Sequence, residues 1–182
     1  MPAGARRLLD DGMGNPAAVE AARAQTPGLH VTGVGAGASG TYDRICPSLA
    51  DLAGEEGSFD VAVALGSLPL CDAPWERAAR LARLLAPGGR FLASAANVAR
   101  ASVVEGLLRG EFPAPSPRGP RRWLTRRSLR QVLEESGFAV ESIEAVGTED
   151  SGPLLSRLAC LGVSASAQEF SVKEWLATGR RL

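Results

Sequence analysis

A single lysine and a single histidine leave this chain of 182 residues short of proton carriers. Lys173 is the lysine, so 19 of the 20 basic residues are arginine. Together with the abundant alanine, that reads as genomic bias rather than function. Cysteine is scarce too. Cys46, Cys71 and Cys160 are odd in number and far apart, no CxxC occurs, and His30 is the one histidine. This pattern argues against a metal cluster and against a disulfide framework, and it fits a reducing cytoplasm. No apolar run approaches the roughly 20 residues a membrane helix needs. The amino terminus, with Arg6-Arg7 soon followed by Asp10-Asp11, lacks a signal-peptide core. Basic and acidic residues balance at 20 each, so no global field favours nucleic acid or an anionic membrane. Aromatics make up only 5%, which predicts a core of Ala, Val and Leu; the length suits one domain over 1–182.

What is present is an alternation of strand and helix signals. Arg7–Asp10 reads as a first strand and Gly12-Met13-Gly14 as a turn. Asn15 and Pro16 suit the cap and first position of a helix over Ala17–Gln25. Leu29–Val34 follows as a second strand, completing a βαβ unit. Gly35–Gly40 reads as loop. Residues 41–58 carry no clear signal beyond a helical turn at Leu49–Leu52. Phe59–Leu65 is an apolar run broken only by Asp60, as in a strand covered on both faces. A helix capped by Asp72, with Trp75, Ala78, Ala82 and Leu85 on one face, ends at Pro87-Gly88-Gly89. Arg90–Ala95 is the next strand and Ala101–Arg109 the next helix. Four prolines make Glu111–Pro120 an irregular excursion. Thr125 caps a helix with Leu129, Val132 and Leu133 inward. Phe138–Val146 and Gln168–Thr178 read as an antiparallel pair flanking a short helix at Leu154–Leu161. Such an order implies an open α/β sheet with helices on both faces. Ligands of these sheets bind beyond the carboxyl ends of the strands. The loops at Gly12–Asn15, Gly35–Ser39, Gly66–Leu70 and Asn97–Arg100 should therefore share one edge.

The run from Phe59-Asp60-Val61 through Leu84-Leu85-Ala86-Pro87-Gly88-Gly89-Arg90 to Glu134-Glu135-Ser136-Gly137-Phe138 resembles the carboxyl half of class I S-adenosylmethionine (AdoMet)-dependent methyltransferases. Asp10-Asp11-Gly12-Met13-Gly14 resembles their glycine-rich loop, and Trp123-Leu124-Thr125-Arg126-Arg127-Ser128-Leu129 resembles a segment of a subgroup acting on sugars and other small molecules. The resemblance covers roughly residues 5–146. It implies a Rossmann-like, mostly parallel seven-stranded sheet with an antiparallel carboxyl-terminal strand, and AdoMet as methyl donor. Its register implies cofactor contacts at Asp10, Gly12, Gly14, Gly35, Leu65 and Gly66. Asn97, Arg118, Arg121, Arg122 and Trp123 become candidates for a substrate or partner.

Several positions depart from the family pattern. Pro16 replaces the third glycine. Gly35 stands where an Asp or Glu would accept the ribose hydroxyls, and each such charged hydrogen bond is worth about 1.5–3 kcal/mol. Gly66, Pro69 and Leu70 replace an acid and a Glu-His pair; Pro117 and Pro120 replace an Asp and a His. Gly35-Ala36-Gly37-Ala38-Ser39-Gly40 matches a dinucleotide fingerprint, but Pro47 and the short distance to Phe59 leave no room for the helix it must open. Three readings follow. The first is a pseudo-methyltransferase with impaired cofactor binding, acting as an interaction or scaffold module. The second is an active methyltransferase on a small molecule, since transfer to an already nucleophilic acceptor needs mostly proximity. The third is a nucleic-acid or polyanion binder through the arginines of residues 118–130.

Overall fold

A computed structural model of the chain describes residues 2, 4–12, 16–35, 41–111, 120–164 and 166–182. Met13, Gly14, Asn15, most of the Gly35–Gly40 loop, Pro117 and Arg118 lie outside the described residues.

The strands are β1 (Arg7–Asp10), β2 (His30–Val34), β3 (Arg44–Cys46), β4 (Phe59–Leu65), β5 (Leu85–Ala96), β6 (Phe138–Thr148) and β7 (Val172–Arg181). They form one sheet in the order β3-β2-β1-β4-β5-β7-β6. The first five run parallel, while β7 is antiparallel to both β5 and β6. The helices are α1 (Pro16–Gln25), α2 (Pro74–Leu84), α3 (Ala101–Leu108), α4 (Arg126–Glu135), α5 (Gly152–Cys160) and α6 (Ala167–Ser171). The seven-stranded, mostly parallel α/β architecture is the one expected from the sequence.

Side-chain alternation along the strands sorts the core into two clusters. Leu8, Val31 and Val61 pack with Val19 and Ala22 of α1 on one face. Leu9, Ala62, Ala64, Phe91 and Ala93 pack with Leu81 of α2 and Leu129 and Leu133 of α4 on the other. Position 10 therefore faces α1, and position 11 faces α2. That one-residue alternation decides what the two adjacent aspartates can do.

Four expectations need correction. Asp72 does not cap α2: Ala73 holds the cap position, and no side chain closes it. Trp75 is 45% exposed, whereas Pro74, Ala78, Leu81, Ala82 and Leu84 form the buried stripe. Leu85 belongs to the strand, because it pairs with Phe59, and β5 runs on through Pro87-Gly88-Gly89. Residues 167–171 are helical, so β7 begins at Val172 rather than Gln168. The sequence also gives no signal for β3, three residues long at the sheet edge. Thr125 does cap α4 as expected, its hydroxyl accepting from the Ser128 amide in a capping box.

Candidate functional site

The loops after β1, β2 and β4 meet at the carboxyl edge, as the parallel order requires. A cleft of about 150 Å³ lies among them, lined by Asp11, Gly12, Val34, Gly35, Ser67, Leu70, Cys71 and Arg77. Of the expected cofactor contacts, Gly12 and Gly35 line this cleft. Asp10 and Leu65 do not: both face α1 and border an apolar groove of about 290 Å³ with Leu8, Val19, Val61 and Leu92. Gly66 has φ +71 and turns the chain at the end of β4, its amide bonded to the Ser94 carbonyl.

Asp10 shapes the loop rather than the cleft. Its carboxylate accepts the Tyr42 hydroxyl at 2.6 Å and the Gly12 amide. The Tyr42 ring lies flat against Gly33, where any Cβ would come within 2.9 Å of it. A glycine in β2 therefore admits the ring that reaches Asp10. Burial pushes the Asp10 carboxyl above its ordinary range, the Tyr42 and Gly12 bonds opposing the rise. Burial, followed by the Asp10 contact, raises the Tyr42 phenol as well.

Asp11 sits on the other face and is almost wholly buried. Its two oxygens accept Nε and Nη2 of Arg77 at 2.7 and 2.6 Å, a bidentate pair, and Ser67 Oγ lies 3.3 Å away. Burial lifts its carboxyl above the usual range, with Arg77 and Ser67 pulling the other way. Cys71 is half-buried in the same cleft; its thiol points to the Leu68 carbonyl at 3.0 Å, and burial raises its pKa. Sequence reasoning missed Asp11, Tyr42, Ser67 and Arg77. The signal available was the doubled aspartate, since an acid at position 11 needs a cation on the α2 face.

Gly35 follows directly on β2 with φ +123, a conformation side-chain-bearing residues rarely adopt. Its amide still bonds to the Cys46 carbonyl at 2.9 Å, continuing the β2–β3 pairing.

The candidate substrate residues are occupied differently. Asn97 is buried; Nδ2 donates to the carbonyls of Glu169 and Val172, and Oδ1 accepts the Ala99 amide. It thus fastens the end of β5 to the start of β7. The amides of Arg121 and Arg122 both donate to the Pro69 carbonyl. Arg121 Nη1 pairs with Asp72 at 2.9 Å, Arg122 Nε donates to the Asp72 carbonyl, and the Arg122 guanidinium lies over the Trp75 ring. This strap joins residues 120–122 to the turn that supplies Leu70 and Cys71 to the cleft. Trp123 is half-buried beside it. Among the described residues, no helix is long and apolar enough to cross a membrane.

Strand order, glycine loop and carboxyl-edge cleft together define a class I AdoMet-dependent methyltransferase fold. The family model for the methyltransferase domain matches residues 3–143, and the chain belongs to that family. No curated protein matches it. Among solved structures it is similar to the [4+2]-cyclase SpnF, at 19% identity and TM-score 0.63, over 98% of this chain and 76% of that one. An S-adenosylmethionine-dependent methyltransferase from Mesorhizobium loti gives 19% identity and TM-score 0.61, over 100% and 94%. The 1,6-didemethyltoxoflavin-N1-methyltransferase of Burkholderia thailandensis, solved with bound 1,6-didemethyltoxoflavin and S-adenosylhomocysteine, gives 19% and 0.58, over 96% and 70%.

Proposed function

We infer that this chain is a methyltransferase-fold protein whose grip on AdoMet is impaired or lost, and that it serves as an interaction or scaffold module. The observation that carries this reading is Gly35. The family resemblance calls for a carboxylate there, and the chain has a glycine at φ +123, where a side chain would be strained. The described residues do not fit the cofactor in other respects either. The cleft, at about 150 Å³, is half the lower bound of about 300 Å³ for drug-sized ligand sites. Its one acid, Asp11, is engaged by Arg77 and Ser67. The fold itself does not fix the chemistry: the similar structures include one described as a cyclase and one as an N-methyltransferase. Isothermal titration of the full chain with AdoMet and S-adenosylhomocysteine tests the reading; micromolar binding of either would sink it.

A second reading, an active methyltransferase on a small molecule, draws on the family match and on the retained Gly12 turn. Proximity alone can drive transfer to a nucleophilic acceptor, so the missing proton acceptors do not forbid it. Methyl transfer from labelled AdoMet to a panel of thiols and amines would favour this reading over the first. The arginines at 121 and 122 support a polyanion partner less well, because the carboxylate and carbonyl of Asp72 already engage their guanidinium groups. No retardation of nucleic-acid probes at low salt is therefore expected.

A further inference from the structure

Glycines at the cleft make room, and an arginine takes that room back. Gly12 and Gly35 bring no side chain to it. Arg77 crosses from α2 to the cleft floor and locks onto Asp11 through two nitrogens. Asp11 has no exposed side-chain surface, while a third of the Arg77 side chain still reaches solvent. The guanidinium therefore lines the cleft between a buried anchor and an open mouth.

Stability alone does not account for such a pair. Desolvating two charges consumes most of what their attraction returns, and apolar residues of similar volume often do as well. The contact has a clearer steric consequence: with Arg77 drawn inward, about 150 Å³ remains.

We propose that Arg77 is an internal plug, held by Asp11, which closes the cleft to a nucleoside-sized ligand. This rests on the reading above, that the cleft occupies the fold's cofactor position and does not grip AdoMet. It goes further in naming a removable cause. The plug is autoinhibitory: a change that draws Arg77 outward would enlarge the cleft without any rearrangement of the sheet.

The test is calorimetric titration of the full chain with S-adenosylhomocysteine, which no methyl transfer can consume. Three proteins are compared: wild type, Asp11→Ala/Arg77→Ala, and Asp11→Leu/Arg77→Met. The first double variant removes both charges and the bulk. The second removes the charges and keeps the bulk. The expected result is at least a tenfold gain in affinity for the alanine pair and none for the Leu/Met pair. Equal affinity of wild type and the alanine pair overturns the plug, as does undetectable binding by both. An equal gain in the two double variants overturns it too, since charge rather than volume would then be responsible. If the alanine pair does not fold, Asp11→Asn/Arg77→Ala keeps the bond to Ser67 and carries the same expectation. Tight binding by wild type would remove the proposed function, while the ratio between variants would still decide the plug.

Discussion

Asp10 and Asp11 at the carboxyl edge contrast with Asp43, Asp51 and Glu55 around β3. The first two are 4% and 1% exposed, and burial drives both carboxyls above their ordinary range. Of the other three, Asp43 and Asp51 are exposed and Glu55 is half-buried, and hydrogen bonds hold them below it. Asp43 accepts the Val31 amide and pairs with Arg23. Asp51 closes a capping box with Ser48. Glu55 bridges Arg44 and Arg7. Acids around β3 tidy the backbone at little desolvation cost. Acids at the edge are held in place despite that cost, Asp10 bracing the loop through Tyr42 and Asp11 anchoring Arg77 in the cleft.

The sharpest way to break this contrast is to strip one partner from the edge. Arg77→Ala leaves Asp11 buried with Ser67 alone. A loss near 3 kcal/mol in urea unfolding is expected, at the low end for buried pairs because Arg77 is partly solvated. A loss under about 1 kcal/mol would place the pair with the surface bridges and erase the distinction. Next comes Gly35→Asp, which restores the acid the family resemblance calls for. The φ of +123 should cost about 1–3 kcal/mol, and affinity for AdoMet should not rise. A well-folded, AdoMet-binding Gly35→Asp would show that the backbone tolerates a ribose acceptor after all. Tyr42→Phe removes the hydroxyl donor from Asp10. A loss of about 1–2 kcal/mol is expected, with the Gly12 amide, which bonds to Asp10, exchanging its hydrogen faster than in wild type.

The fold was largely legible in the sequence, because period and punctuation agree over most elements. Phe59–Leu65 is apolar except for Asp60 and packs into both core clusters; Thr125 caps where a capping residue should. Misses fell where tertiary pairing overrides local signals. Leu85 continues the helical stripe of α2 but is claimed by Phe59 across the sheet. Strand β3 has three residues and no pattern of its own; its register with Thr32, Gly33 and Val34 creates it. The site was legible only in part, since a single residue step decides which face a side chain takes. Asp10 was picked out by its motif position, yet it buttresses the loop through Tyr42, while its neighbour occupies the cleft. Nothing local links Asp11 to Arg77, 66 residues on.

The gentlest probe is pH, and here the two groups of acids should respond with opposite sign. A carboxyl raised in the folded state binds its proton more tightly there than in the unfolded chain. For Asp10 the stability so gained is full below about 4 and declines as pH rises through the raised value. Asp10→Asn lacks that decline, so its deficit against wild type should shrink as pH climbs through this window. Asp43 behaves inversely. Its carboxyl is lowered, so its contribution is present above about 4 and disappears as pH falls through the depressed value. The deficit of Asp43→Asn should therefore widen as pH climbs through that lower window, and added salt should reduce it, because the Arg23 pair is exposed. Urea midpoints of the three proteins from pH 3 to 7 would read both slopes. Slopes of the same sign would mean that burial does not separate the edge from β3, and the case for the edge as a site would lose its electrostatic support.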